Sequence, residues 1–527
     1  MRSTRIVPLL LFGILLTFQG GVYGQSSSSL TYSGANQVGL TPVWTREIAV
    51  GYGGEISGVT VFVSPTKSYR GSSLIDKFGR RTYFSDRDAA SLRGSRAGYD
   101  ETVRRLELKE AQLTALGLEP QSTSVEIPDV TLYVRSSLGT VTALDAETGE
   151  LKWSTEVGKP GYPGFGITAT DEYVVTLSSA TVYLLDAESG QVLSSVPLRF
   201  LPASTPTIVG KRIFAPGASG VIDVLSTEDL NRREYTLGSA GGIDSPVTVS
   251  PRGISWSSDD RVYVANPVGP GVRYHFQTMD TLTASPVYQN ERLFITSMDG
   301  FAYAIDEQSG DVQWRYSAGG PVREAPLVID DNVYVTTVDG QMSALDAESG
   351  EARWLASNVD RFVAVSDSRV YCISIGNQLV VRDRENGGII GSTQLGPVGH
   401  PVVNTNTDRV YLVSQSGVVQ CFRDAAKRWP TARKPPELPF LEEEGQAAKA
   451  PTQVEVAPDP APSAGRATEE ADTDPFGMED EPAESAPAPA ADDGAEEDPF
   501  EGFGADDFGS DDFGGDGAAG DDPFRDF

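Results

Sequence analysis

Residues that commonly carry enzyme chemistry are scarce in this sequence. The 527-residue chain has two histidines, His275 and His400, and two cysteines, Cys372 and Cys421. It contains no Cys-x-x-Cys pair, zinc-ligand spacing, nucleophile elbow or phosphate loop. We therefore predict no catalytic, cofactor-binding or metal-binding residue. The cysteines are expected to be buried free thiols, and a disulfide is the alternative if their Cα atoms come within about 7 Å.

Binding is the chemistry that the remaining candidate residues support. Aromatic and charged side chains recur in short connections between predicted strands, and in a repeat protein such connections surround one opening. The candidate interaction face consists of Tyr162, Phe165, Arg199, Phe200, Arg323, Glu324, Asp360 and Arg361, with His400 beside them. The alternative is that these connections are only turns between structural repeats.

A second set of candidates lies in the acidic C-terminal segment. Residues 431–527 contain 28 acidic and 5 basic residues, a net charge of −23 within a chain of net charge −32. Too few apolar residues are present there to offset the entropy of ordering, so we predict disorder. The candidate docking residues, each a phenylalanine behind acids, are Phe476, Phe500, Phe508, Phe513 and Phe524. Such repeated motifs favour weak multivalent docking, and a purely solubilising tail is the alternative.

A repeat of about 40 residues positions these candidates. In the best copy, residues 340–354, a short strand precedes a turn at Asp346–Gly350 and a second strand near Trp354. The aspartate can accept backbone N–H bonds inside the turn, and the glycine can adopt positive φ. The equivalent residues of other copies are Asp145, Trp153, Asp186, Asp306 and Trp314, and the same period spaces Pro206, Pro246, Pro286 and Pro326. Several short strands per repeat predict an all-β, eight-bladed β-propeller with four-stranded blades.

The repeat motif resembles that of the PQQ-like (pyrroloquinoline-quinone-like) propeller superfamily. Its best copies are Tyr133–Trp153, Phe294–Trp314 and Tyr334–Trp354. The resemblance implies the fold and a tryptophan that docks between blades. It does not imply one function, because the superfamily holds both quinoprotein dehydrogenases and non-enzymatic scaffolds, such as that of the outer-membrane barrel-assembly machinery. The dehydrogenases carry two adjacent cysteines that this sequence lacks, so no catalytic residue is transferred.

The rest of the chain divides into segments of different composition. The predicted segments are a signal peptide (1–24), a flexible lead (25–42), N-terminal strands that close the propeller (43–63), an insertion with one helix (64–126), the propeller repeats (127–428) and the disordered acidic tail (429–527). The signal peptide is indicated by a positive start and a short apolar run, and an uncleaved anchor is its alternative. We expect Trp44 to pair onto the sheet that contains Val419–Phe422, because closure removes open sheet edges.

The predicted function is that of an exported, non-catalytic scaffold that binds proteins in the bacterial cell envelope or periplasm. Its partners are expected to be envelope proteins of unknown identity. We expect a monomeric propeller without cofactor and without a transmembrane segment after signal cleavage. The acidic composition argues against a nucleic-acid partner. Two alternatives stay open: a quinone- or Ca²⁺-dependent oxidoreductase, and a protein that binds envelope polysaccharide through Tyr162 and Phe165.

Overall fold

The fold is a ring of eight antiparallel β-sheets, which confirms the predicted eight-bladed propeller. A computed structural model describes residues 28–88, 96–162 and 164–440. The predicted signal peptide and the five tail phenylalanines lie outside these ranges. Strands of each blade are called A to D, and the A strands of neighbouring blades are tied together at the centre. Thr207 Oγ1, for example, donates to the Val247 carbonyl at 2.9 Å.

The described chain begins with a helix and with a strand that belongs to the last blade. These elements are α1 (Tyr32–Gln37) and β1 (Leu40–Glu47). They are followed by β2 (Ile56–Ile75), β3 (Arg81–Ser85), α2 (Gly98–Ala115), β4 (Gln121–Ser136), β5 (Thr140–Asp145) and β6 (Leu151–Glu156). Strands β2, β4, β5 and β6 form blade 1, and β3 is a fifth strand beside β2.

Blades 2 to 4 each use four consecutive strands. Blade 2 comprises β7 (Gly164–Ala169), β8 (Tyr173–Ser178), β9 (Thr181–Asp186) and β10 (Val192–Pro197). Blade 3 comprises β11 (Thr207–Val209), β12 (Arg212–Pro216), β13 (Val221–Ser226) and β14 (Arg233–Gly238). Blade 4 comprises β15 (Thr248–Ser250), β16 (Gly253–Ser258), β17 (Arg261–Ala265) and β18 (Val272–Gln277).

Blades 5 to 7 follow the same pattern, and blade 8 borrows its last strand from the N-terminus. Blade 5 comprises β19 (Val287–Gln289), β20 (Arg292–Thr296), β21 (Phe301–Asp306) and β22 (Val312–Ser317). Blade 6 comprises β23 (Leu327–Ile329), β24 (Asn332–Thr336), β25 (Met342–Asp346) and β26 (Ala352–Ala356). Blade 7 comprises β27 (Val359–Val365), β28 (Arg369–Ser374), β29 (Gln378–Asp383) and β30 (Ile389–Gln394). Blade 8 comprises β31 (Val398–His400), β32 (Val410–Ser414), β33 (Val418–Asp424) and β1.

The ring closes in blade 8, where β1, the first strand of the propeller, pairs with β33, the last. Trp44 pairs with Cys421, as the sequence predicts. Residues 30–40, part of the predicted flexible lead, instead form α1 and pack into a buried cluster with Leu30, Ala35 and Val38. Helix α1 lies against β30 at Gly391, the position where other blades carry a tryptophan. The lead is therefore ordered by tertiary contacts that its polar composition does not reveal.

Each repeat is held by its turn and its tryptophan. Asp346 Oδ1 accepts hydrogen bonds from the backbone N–H groups of Glu348 at 3.0 Å and Ser349 at 2.8 Å. Gly350 adopts a φ of 73°, which a side chain would strain. The Trp354 indole donates to the Arg384 carbonyl of the next blade at 2.9 Å. The four equivalent indoles, Trp44, Trp153, Trp314 and Trp354, therefore fasten blades 8, 1, 5 and 6 to the turns of their successors.

The insertion after the first propeller strand is more regular than its composition predicts. Strands β2 and β4 continue beyond the blade and, with β3, form a three-stranded sheet on which α2 packs. This sheet and α2 together are called the extension. Helix α2 spans Gly98–Ala115, within the insertion for which the sequence predicts one helix. Arg87 ties this extension to blade 1 through Asp129 at 2.5 Å and Asp145 at 2.8 Å. Cross-strand pairs, rather than local propensity, order these strands, so the Gly, Ser and Arg content of the insertion does not reveal them.

The chain beyond the last blade does not leave the propeller at residue 429. Residues 425–440, called the strap, cross the ring instead. The backbone N–H of Arg433 bonds to Asn406 of blade 8 at 2.8 Å, and its side chain reaches Asp330 of blade 6 at 3.4 Å. Further along, Leu438 and Phe440 pack against the buried cluster of blades 3 and 4. Blade 8 lies opposite blade 4 in a ring of eight, so the strap spans the central opening.

Candidate interaction face

Propeller topology gives the ring two distinct faces. Strands A and C begin, and strands B and D end, on the same side of every antiparallel blade. The connections between D and A and between B and C therefore share one side, called the D–A face. The A–B and C–D turns share the other side, called the A–B face. The predicted interaction residues all belong to connections of the D–A face or to the strand ends beside them.

The A–B face is covered by the chain itself. The extension grows out of the A–B connection of blade 1, and the strap runs over the A–B turns of blades 8 and 6. Trp429 of the strap packs edge-on against Tyr83 of the extension, with 5.9 Å between ring centroids. These contacts place the strap and the extension over the A–B turns of blades 1, 6 and 8.

The D–A face carries a set of exposed apolar side chains. All six belong to D–A or B–C connections and are at least half exposed: Tyr52, Tyr162, Leu201, Met279, Val338 and Ile375. They are spread over six positions of the ring rather than collected in one blade. Exposed apolar side chains gathered on one face are typical of a protein-interaction surface.

The structure places the predicted face residues in three different environments. Tyr162 is exposed, as an interaction residue requires. Phe165 and Phe200 are half buried and pack into the core between blades 2 and 3, so they hold blades together rather than face a partner. Both rings were predicted to be exposed for binding, whereas the structure packs them between the blades.

The charged members of the predicted set remain at the surface. Arg199, Arg323, Glu324 and Asp360 are exposed, and Arg361 is half buried. Asp360 Oδ2 accepts a hydrogen bond from Arg361 Nε at 2.6 Å. The backbone carbonyls of Arg323 and Glu324 accept from Thr283 and Thr296 of the preceding blade, both at 2.7 Å. The main chain of this loop is fixed while its side chains stay available.

The sequence prediction missed five of the six exposed apolar residues, all except Tyr162. Val338 and Ile375 lie in B–C connections, which share the D–A face but were not considered. Tyr52 lies in the connection from β1 to β2, which becomes a D–A connection only once β1 closes blade 8. A rule that collects apolar residues from both kinds of connection would have found these three.

Charge divides the D–A face into two arcs. Blades 3 to 7 contribute the acidic arc, where two arginines, Arg323 and Arg361, are outnumbered by eight carboxylates: Asp244, Asp259, Asp260, Asp280, Asp299, Glu324, Asp339 and Asp360. The connections 48–55, 157–162 and 198–206 form the second region, called the tyrosine arc. It carries Lys159, Arg199 and one exposed carboxylate, Glu55, together with Tyr52, Tyr162 and Leu201. One face therefore combines an acidic side and an aromatic, weakly basic side.

The scarce histidines and cysteines are not brought together. Cys372 and Cys421 are buried free thiols in blades 7 and 8. The His275 ring lies 5.9 Å from the Tyr263 ring in blade 4. His400 is half buried in blade 8, and burial together with Arg361 lowers its pKa. Among the described residues, no group of three or more His, Cys, Asp or Glu could hold a metal ion.

One cavity lies on the A–B face between blades 6 and 7. Its volume is about 320 Å³, and its lining is Asp331, Asn332, Arg353, Asp367, Arg384 and Glu385. The two arginines are engaged elsewhere, Arg353 with Asp346 at 2.5 Å and Arg384 with Asp330 at 2.8 Å. Separately, none of the helices in the described ranges has the length and apolar character needed to cross a membrane.

Comparison with known proteins gives one family match. The family model described as outer membrane protein assembly factor BamB matches residues 137–275 and 254–431. A crystal structure of BamB from Moraxella catarrhalis is similar at 16% identity and a TM-score of 0.48, over 56% of this chain and 92% of that chain. The computationally designed protein Ika8 is similar at 18% identity and a TM-score of 0.46, over 56% and 93%. None of the curated proteins matches the chain.

Proposed function

Because the chain belongs to the family of the outer membrane protein assembly factor BamB, we propose that it is an exported, non-catalytic propeller that holds partner proteins in the bacterial cell envelope. The proposed binding surface is the D–A face. The observation that carries this proposal is a difference between the two faces of the ring itself: the strap and the extension lie over its A–B face, whereas six exposed apolar side chains occupy its D–A face. Exposed apolar side chains on the A–B side, such as Phe78 and Leu116, belong to the extension and not to the ring.

The chemistry of the described residues supports a scaffold more than an oxidoreductase. The quinoprotein dehydrogenases of the wider superfamily carry two adjacent cysteines beneath their cofactor. In this chain Cys372 and Cys421 lie in different blades, and both are buried free thiols. Among the described residues of the D–A face, the exposed aromatic side chains Tyr52 and Tyr162 lie in separate connections, which favours a protein partner over a polysaccharide that stacks on a continuous aromatic platform.

Site-specific photo-cross-linking tests the proposed surface. A photo-reactive amino acid at Tyr52, Leu201 or Met279 is expected to capture envelope proteins in living cells. The matched controls are Leu151 and Ile389, which are similarly exposed but lie on the outer strands of blades 1 and 7. Equal capture from the outer strands, or capture from neither surface, would overturn the proposal. Cell fractionation in the same experiment tests the proposed export.

We also propose that the acidic segment supplies weaker contacts through Phe476, Phe500, Phe508, Phe513 and Phe524. Each motif can bury little more than one ring, and several on one chain gain by effective concentration, by roughly 10²–10⁴ where geometry allows. Changing all five residues to Ser leaves the charge intact. This variant is expected to recover fewer envelope partners in a pull-down. Equal recovery would reduce the segment to an acidic solubiliser.

A further inference from the structure

One arginine near the tyrosine arc is buried without a counter-ion. The Arg135 side chain, at the end of strand β4, belongs to a residue that is only 1% exposed. Its Nη1 donates to Thr176 Oγ1, and its Nε has no hydrogen-bond partner among the described residues. No described carboxylate forms an ion pair with it, and burial alone lowers its pKa to about 10. A buried, unpaired guanidinium is destabilising, so its presence calls for an explanation.

The repeat shows what this position holds elsewhere. Arg135 pairs with Val141 near the start of strand C, as Thr296 pairs with Ala302 in blade 5 and Thr336 with Met342 in blade 6. Thr296 is a small residue whose hydroxyl donates to the next D–A connection, at the Glu324 carbonyl, at 2.7 Å. Leu177, Ile373 and Val413 hold the same position in blades 2, 7 and 8, so the fold does not require a cation here. Blade 1 replaces it with a long cation.

The guanidinium lies directly beneath the D–A face. A Cβ added to Gly164 would stand only 1.9 Å from Arg135 Nη2, so the charged group abuts the backbone that follows connection 157–162. Inside a protein of low polarity such a charge is poorly screened, and its potential reaches the nearest surface. That surface is the tyrosine arc. It also carries Lys159 and Arg199, neither of which forms an ion pair within the described part of the chain.

We propose that the tyrosine arc binds an acidic peptide segment of a partner protein that also presents an aromatic or aliphatic side chain. Carboxylates of the peptide meet the positive potential of Arg135, Lys159 and Arg199. Its apolar side chain packs against Tyr52, Tyr162 or Leu201, which are exposed without a covering segment among the described residues. This inference rests on the proposed function of the D–A face and assigns one partner chemistry to one part of it.

The acidic arc makes the assignment directional. Its eight carboxylates repel an acidic peptide from blades 3 to 7 and leave blades 1 and 2 as the favourable side. A partner held in this way meets the propeller in one orientation. The charge pattern of a single face thereby fixes the rotational position of the partner about the propeller axis.

Fluorescence anisotropy with a labelled peptide built from repeated Glu-Glu-Phe-Gly units tests the proposal on the full chain. The Lys159→Gln/Arg199→Gln double variant and the Tyr52→Ser/Tyr162→Ser double variant are each expected to weaken binding by about tenfold or more. Binding is also expected to weaken with added salt. A control peptide with Gln in place of Glu should bind poorly. If it binds equally well, the arc recognises apolar chemistry and the proposal fails.

Arg135 provides the sharpest variant because its two expected effects have opposite signs. Arg135→Met keeps most of the volume and removes the charge, so thermal stability is expected to stay constant or rise. Peptide binding is expected to weaken several-fold and to depend less on salt. Arg135→Lys should restore part of the affinity and part of the salt dependence. A stability loss without any change in binding would make Arg135 purely structural and would overturn its role.

Two further outcomes separate this inference from the function on which it rests. If Met279 still cross-links to envelope proteins and every arc variant binds the peptide normally, the proposed scaffold function stands. The proposed peptide site on the tyrosine arc is then refuted. Sedimentation could instead show that the protein self-associates and that the Tyr52→Ser/Tyr162→Ser variant does not. That result would assign the tyrosine arc to a second copy of the chain and would also refute the proposal.

Discussion

The two faces of the propeller differ in how their charged and apolar side chains are used: those of the A–B face stabilise the ring, and those of the D–A face are exposed. On the A–B face charges are buried and paired: Arg409, fully buried, binds both carboxylate oxygens of Glu147 at 2.9 and 2.8 Å and joins blade 8 to blade 1. On the D–A face, Lys159 and Arg199 stand without ion-pair partners among the described residues, beside exposed apolar rings. One end of the strands therefore contributes to stability, and the other end is free to contact a partner.

The largest expected effect is the loss of an inter-blade tryptophan on the A–B side. Trp354 is 6% exposed and donates to the turn of blade 7. Trp354→Ala is expected to lower the free energy of unfolding by roughly 3–5 kcal/mol, the range for a buried aromatic ring, in denaturant melts. Trp429→Ala, at a half-buried ring of the strap, should cost much less. Equal losses would mean that the strap is as important to the fold as the repeat.

The second-largest loss of stability is expected from breaking the Arg409–Glu147 ion pair between blades 8 and 1. Arg409→Met leaves Glu147 unpaired and Asp408 buried beside an apolar side chain. The expected destabilisation is about 3 kcal/mol, since an uncompensated buried charge is costly. The double variant Arg409→Met/Glu147→Gln is expected to recover part of the loss in the same melts. If the single variant were neutral, the A–B face would owe little to its ion pairs.

Acid sensitivity of the turns on the A–B face gives a smaller effect. The hydrogen bond from Arg353, together with the Ser349 N–H, lowers the pKa of Asp346 from 3.8 to about 2. A carboxylate with a depressed pKa in the folded state stabilises the fold above about pH 4, and this stabilisation is lost as the pH falls toward 2. Asp346→Asn is expected to flatten that part of the stability profile, by less than about 1 kcal/mol. An unchanged acid profile would contradict the assignment.

The smallest expected effect on stability belongs to the D–A face. The triple variant Tyr52→Ser/Tyr162→Ser/Leu201→Ser removes exposed side chains that support no neighbouring blade. Its free energy of unfolding is expected to stay within about 0.5 kcal/mol of the parent protein for each substitution. A cooperative loss of several kcal/mol in denaturant melts would show that this face also holds the ring together, and the contrast between the faces would fail.

Local periodicity was sufficient to predict the repeat fold. The Asp-to-Gly turn and its tryptophan lie within one repeat, so the sequence reveals both the blade count and the closure of blade 8 by Trp44. Helix α1 and the strap could not be predicted in this way. Their order comes from contacts with distant blades, such as Leu438 against the cluster of blades 3 and 4. Polar or proline-rich composition gives no sign of such contacts.

The candidate site was predicted only in outline. The sequence indicates that the D–A connections share one face, and Tyr162 and Arg199 lie there exposed. It did not distinguish a displayed ring from a packed one, because Phe165 and Phe200 differ from Tyr162 only in what the neighbouring blade offers them. Arg135 gave no signal at all. Its lack of a counter-ion is a property of the folded environment.

The closure of the ring by N-terminal residues has a consequence for the order of folding. Leu30 and Gln420 exchange two hydrogen bonds of 2.9 Å across 390 residues of sequence, so this junction has the highest contact order in the ring. Closing so long a loop adds only modestly to the equilibrium cost, but non-local pairing slows folding. Until β1 arrives, the outer edge of β33 lacks its partner and can template aggregation. A circular permutant that joins β33 to β1 through a short linker would therefore change refolding yield and rate more than it changes final stability.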